Sequence, residues 1–176
     1  MNCIPTNREI AAARLEVVPG QGIGPVRLGL NRKQVFAALE QTPHALPFET
    51  HLLTDGYFHG ALQVCYDAKN QAQEIHVGCG KLAACELDGV LVFDRDGEDV
   101  LEVLERVAGV APVPLKENSE ATSWLCLDKT GMVVWTRPSP SNKQRTEVTW
   151  LEVCDESALN EPAAQRTAPR RRIPGF

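Results

Sequence analysis

The chain has 176 residues, 43% of them hydrophobic and 23% charged, with 18 basic and 23 acidic side chains for a net charge of −5. That is the make-up of an ordinary globular domain with a real core, and it excludes collagen-like, low-complexity and polybasic classes. No apolar run nears the ~20 residues of a membrane-crossing helix, and the first ten residues lack the basic-then-apolar layout of a secretory signal. A cytoplasmic location, away from membranes, is therefore expected.

The charge is unevenly spread. Arg166, Arg170, Arg171 and Arg172 fall in the last eleven residues, which hold no acid, and the remainder carries 14 basic against 23 acidic residues, a net −9. An acidic body speaks against nucleic-acid binding and favours a basic protein partner. The six cysteines, Cys3, Cys65, Cys79, Cys85, Cys126 and Cys154, include no Cys-x-x-Cys pair. Free buried thiols are the expected state, with neither a zinc ribbon nor a redox motif.

Taken in order, residues 1–19 form a lead-in with a short helix or strand near 11–18. Gly20, Gly22 and Gly24, closed by Pro25, precede a strand, whereas the dinucleotide fingerprint follows a strand and opens a helix. These glycines read as a turn. Val26 to Leu30 is a predicted strand running into a helix capped by Asn31, whose side chain can accept from the first helical turn. Val35, Phe36 and Leu39 form its apolar stripe. A loop over 42–48 and a strand over 51–58, broken at Asp55-Gly56, follow.

The first hairpin joins 61–66 to 72–78 around Lys69-Asn70, pairing Leu62 with Val77 and Val64 with Ile75. Like against like sets the register. Gln63, Cys65, Glu74 and His76 then share the other face. A strand buried on both faces is predicted over 85–93, then a helix over 97–107 with Val100, Leu101, Leu104 and Val107 inward, then a loop over 112–119. The second hairpin, 122–127 with 132–136, pairs Leu125 with Val134 and Leu127 with Met132. A last strand covers 147–154 with Leu151 and Val153 inward, and a basic, compositionally disordered tail covers 155–176.

Cys65-Tyr66-Asp67 and Cys126-Leu127-Asp128 precede their turns in matching places, which suggests an internal duplication. The predicted fold class is α+β: two related β-α-β-hairpin units, 20–84 and 85–154, form one antiparallel sheet with helices packed on one face.

Strand parity places Trp124, Trp135 and Trp150 on the helix-free face, beside Glu74, His76 and Glu152. Tryptophan is enriched among residues that dominate protein interfaces, so these six are the predicted partner-binding set. A secondary acidic ridge comprises Asp94, Asp96, Glu98, Glu102 and Glu105. Its Asp-x-Asp-Gly start places the glycine too early for a calcium loop, and acids at a helix start have their own electrostatic reason. The alternative is a small thiol-dependent enzyme or metal-binding protein using Cys65 and His76, since an imidazole can generate a reactive thiolate. Strand centres offer it little oxyanion stabilisation. His76, Cys79 and Cys85 match no familiar zinc spacing. No catalytic residue, metal or cofactor is expected.

Leu28-Gly29-Leu30 followed by the polar run to Val35 resembles the "Leu-Gly-Met, polar run, Val" strand-to-helix signature of the small outer-membrane-assembly lipoproteins and the tandem-repeat beta-lactamase inhibitor proteins. It is also similar to the opening of bacterial immunity-type proteins. Leu30 stands where the signature has Met, and the lipoprotein export signal is missing. The resemblance implies a layered α+β fold and a binding role, here an immunity protein that neutralises a cognate antibacterial toxin. It transfers no catalytic residue.

Overall fold

The computed structural model describes residues 14–40, 44–45, 53–78, 84–93, 97–109, 113–117, 123–127, 131–138 and 146–154. Strands β1 (Arg14–Val18), β2 (Gly22–Ile23) and β3 (Val26–Arg27) lead to helix α1 (Arg32–Leu39), followed by β4 (His44–Ala45), β5 (Leu53–Tyr57), β6 (Leu62–Tyr66) and β7 (Ala72–Gly78). Then come β8 (Ala84–Leu87), β9 (Val90–Leu91), helix α2 (Gly97–Ala108), β10 (Val113–Glu117), β11 (Ser123–Leu127), β12 (Met132–Pro138) and β13 (Thr146–Cys154).

The expected fold class is overturned. Strands hold 57% of the described residues, against two helices, and the helices do not form a layer on a sheet face. The described residues form two sheets. The larger is antiparallel, in the order β10-β11-β12-β13-β7-β6-β5-β4, and the smaller is β3-β2-β1-β8-β9. In the smaller, β1 and β8 pair in parallel, Leu15 opposite Cys85. Both hairpins lie in the larger sheet, with β13 bridging them between β12 and β7. The small sheet joins its neighbour through backbone bonds from Gly29 N to Ala72 O and from Ala72 N to Leu30 O, both 2.8 Å.

Hydrophobic alternation explains the large sheet. Leu62 faces Val77 and Val64 faces Ile75; Leu125 faces Val134 and Leu127 faces Met132. Leu62, Val64, Ile75, Val77, Met132, Val134, Leu151 and Val153 all belong to one core, which also takes Leu15, Val17, Ile23, Val26, Cys85 and Leu87 from the small sheet. Slipping any of these strands by one residue would turn its apolar set to the opposite face.

Helix α1 starts where its cap predicts. Gln34 N donates to Asn31 Oδ1 at 3.0 Å and Asn31 N donates to Gln34 Oε1 at 2.9 Å, a reciprocal capping box. Val35 and Leu39 are buried, but Phe36 is 46% exposed and lies outside the stripe. Helix α2 buries Val103 and Leu104, with Val107 partly buried; the side chains of Val100 and Leu101 lie outside the described residues.

Five local expectations change, the first being the 42–48 loop, which contains β4, paired to β5 with His44 opposite Gly56. The 85–93 segment is two short strands folded at Asp88 (φ 50°) and Gly89 (φ 75°), the left-handed pair of a tight hairpin turn. The 112–119 loop contains β10, paired to β11 with a register shift between Pro114 and Lys116. Asp55-Gly56 does not break its strand: β5 runs through both, Asp55 opposite Val64 and Gly56 opposite Gln63. The predicted strand from Val26 to Leu30 ends at Arg27.

Asp55 survives at the core because Arg32, at the start of α1, reaches it with two hydrogen bonds of 2.6 Å. Asp55 is fully buried, and Tyr57 and Tyr66 lie beside it with their hydroxyls 3.4 Å apart. A buried carboxylate without such a partner would be severely penalised.

Candidate functional site

The large sheet holds three rows of residues in register around His76. The first runs Thr54, Cys65, Glu74, Cys154 across β5, β6, β7 and β13. The second runs Gly56, Gln63, His76, Glu152, Val133 and Cys126. The third runs Gly78, Trp150, Trp135, Trp124. His76 is the centre of this lattice.

Four neighbours of His76 have defined contacts with it. Trp150 donates its indole N–H to Nδ1 at 3.1 Å. Glu74 Oε2 lies 3.2 Å from Nε2, and Cys65 Sγ lies 3.8 Å from the same nitrogen. Thr54 donates its hydroxyl to Cys65 Sγ at 3.4 Å. The Trp135 ring stacks on the imidazole at 6.1 Å and 23°, and the Trp150 ring meets it edge-on at 6.1 Å and 66°. Gly78 makes room for this: a Cβ there would lie 2.1 Å from Cζ3 of Trp150.

An indole nitrogen only donates, so its bond occupies the Nδ1 lone pair and the neutral imidazole keeps its proton on Nε2, towards Glu74 and Cys65. Burial works against a second proton. The Glu152 carboxylate, the Cys65 sulfur and the hydrogen bonds to Cys65 and Glu74 outweigh it, and these flanking groups hold the His76 pKa well above its ordinary value. That second proton must enter at Nδ1, head-on to the Trp150 N–H. Protonation of His76 and the Trp150 bond therefore exclude each other.

Of the predicted partner-binding residues, Trp135, Trp150, Glu74, His76 and Glu152 share one face, but solvent reaches them unequally. Trp135 and Glu152 are buried, at 6% and 5%. Trp150 is half-buried, and the side chains of His76 and Glu74 keep 12% and 18% exposure. Trp124 holds the register position opposite Trp135; its side chain lies outside the described residues. Of the acidic ridge, Glu102 and Glu105 are exposed on α2, while Asp94, Asp96 and the Glu98 side chain lie outside the described residues. Because α2 turns Val103 and Leu104 into the core, Glu102 and Glu105 are not part of the His76 face.

The thiols separate by role. Cys85 is in the core, its pKa pushed up to about 12, chiefly by burial, which makes it a poor nucleophile. Cys65 and Cys154 flank Glu74 on opposite neighbouring strands. Two strand spacings, ~9.5 Å, exceed the reach of a disulfide. Cys79 lies outside the described residues. Thr54 and Gly78 are the members of the site that sequence reading missed.

Comparison with protein-family models, curated proteins and solved structures found no match. No helix among the described residues is long and apolar enough to cross a membrane.

Proposed function

We propose that this chain is a non-enzymatic protein-binding module, and in its most concrete form a cytoplasmic immunity protein that binds and neutralises a cognate antibacterial toxin. One observation supports it above the others: Trp150, His76 and Glu74 stay partly open to solvent beside Trp135 and Glu152, which are buried. An indole held by a hydrogen bond, with a second indole opposite it on the next strand and the Glu74 carboxylate nearby, has the anatomy of an interface anchor. Such an anchor loses little freedom on binding, because its ring is already positioned. The net charge of −5 suits a basic partner.

A thiolate–imidazolium pair needs both ring nitrogens of His76 protonated, so it forms only once the Trp150 bond to Nδ1 is released.

The test is co-expression with the product of the reading frame beside this gene. The chain should restore growth of cells making that product and co-purify with it. Glu74→Lys, a change at a partly exposed rim, should abolish the rescue while leaving the fold intact by circular dichroism. Full rescue by a folded Glu74→Lys variant, or no complex with any neighbouring product, would overturn the proposal.

A further inference from the structure

We propose that Cys65, Glu74 and His76 form a binding site for a zinc-class divalent metal ion, and that Trp150 competes with the metal for His76. The proposal does not depend on the docking reading; it shares the Trp150–His76 bond with it and otherwise rests on the ligand geometry. Cys65 and Glu74 oppose each other across β6 and β7, and His76 follows Glu74 by two positions, so all three side chains leave the same face. Their donor atoms lie within 4.8 Å of one another. Sγ is 3.8 Å from Nε2, and Nε2 is 3.2 Å from Oε2. A tetrahedral ion with bonds of ~2.3 Å to sulfur and ~2.0 Å to nitrogen and oxygen holds its ligand atoms ~3.3–3.6 Å apart. The Sγ–Nε2 and Nε2–Oε2 separations match those edges within a few tenths of an ångström.

The donor set selects the class of ion. Calcium and magnesium take oxygen ligands, whereas a thiolate with an imidazole and one carboxylate suits zinc and its neighbours. Three protein ligands leave one position of a tetrahedron for water or another donor. Glu152, opposite His76 in register, brings a second carboxylate to the imidazole.

The proton balance brings in Trp150. On binding, the Cys65 thiol releases its proton to solvent. The Nε2 lone pair goes to the metal, so the imidazole proton moves to Nδ1. There it faces the Trp150 N–H, donor against donor. In ordinary metal sites that second nitrogen donates to an acceptor instead. The metal-bound state must therefore release the indole from Nδ1, and the Trp150 bond belongs to the metal-free state.

Cobalt(II) titration of the full chain tests this, because tetrahedral cobalt gives intense visible bands and a thiolate ligand adds a near-ultraviolet charge-transfer band. The expected result is saturation at one equivalent with both signals, and their loss on adding zinc. Cys65→Ser should remove the charge-transfer band, and His76→Gln should weaken binding by at least about tenfold, the smallest loss usual even for outer partners of a metal site. Trp150→Phe keeps a ring and removes the N–H, and should tighten binding by about five- to tenfold, the worth of one hydrogen bond. If Cys65→Ser fails to fold by circular dichroism, Glu74→Gln replaces it, with loss of the tetrahedral visible bands as the readout. No charge-transfer band in the unaltered chain, a full band in folded Cys65→Ser, unchanged visible bands in Glu74→Gln, or no gain in affinity in Trp150→Phe would each overturn the proposal.

Discussion

The six-membered ring of Trp150 occupies the space over Gly78 where a side chain would begin: a Cβ on Gly78 would lie 2.1 Å from Cζ3 and 2.4 Å from Cε3. Trp150 and Gly78 are direct partners across β13 and β7. The indole thus lies down across its neighbour strand, which brings its N–H to His76. The glycine is there for space.

Gly78→Ala is accordingly expected to destabilise the protein by about 2–4 kcal/mol, from overpacking plus the displaced hydrogen bond. Combined with Trp150→Ala, the same substitution should cost far less, giving a coupling of at least about 1 kcal/mol in a denaturant double-mutant cycle. Additive costs would mean that the ring does not rest on the glycine.

Arg32→Met should cost about 2–3 kcal/mol in urea unfolding. It strands a carboxylate with no exposure, though Arg32 is itself 39% exposed, which places the loss below that of a fully buried pair. By contrast, Arg106→Met should change stability by less than about 0.5 kcal/mol, because Arg106 and Asp88 both lie mostly in solvent. Equal effects at the two sites would contradict the burial of Asp55.

Tyr57 and Tyr66, the chain's two tyrosines, both have raised pKa values, chiefly through burial. A raised folded-state value means that the neutral phenols favour the fold below the unfolded pKa of about 10, and that this contribution is lost as pH rises further. Ultraviolet titration should therefore show no tyrosinate until the fold opens above about pH 10, and both phenols should then ionise together. Stepwise ionisation with the far-ultraviolet circular dichroism unchanged would contradict it.

How much of this was legible in the sequence follows the range of the interactions. Hairpin register was legible because apolar partners such as Val64 and Ile75 alternate with polar ones, and the Asn31 cap because its partner is three residues away. Strand parity alone brought Cys65, Glu74, His76, Glu152, Trp135 and Trp150 to one face. The second sheet was hidden: β1 and β8 pair in parallel across some seventy positions, and neither carries a local mark of that partner. Asp55-Gly56 has the composition of a turn, and only Arg32, 23 residues away, makes Asp55 tolerable in a strand. Asp88-Gly89, a real turn, carries a turn's composition, but the apolar run Val90 to Phe93 directly after it reads as a single buried strand. Thr54 escaped with the strand that carries it, and Gly78 has a role only once Trp150 lies across it.

The measurement closest to the central claim is the dissociation constant of the complex with the co-purifying partner, by calorimetry, for Trp150→Ala against Glu105→Ala. Trp150→Ala should lose about 2 kcal/mol, roughly thirtyfold, while Glu105→Ala on the separate helix α2 should stay within about twofold. A folded Trp150→Ala variant that binds as tightly as the unaltered chain would contradict the assignment of the His76 face as the docking surface.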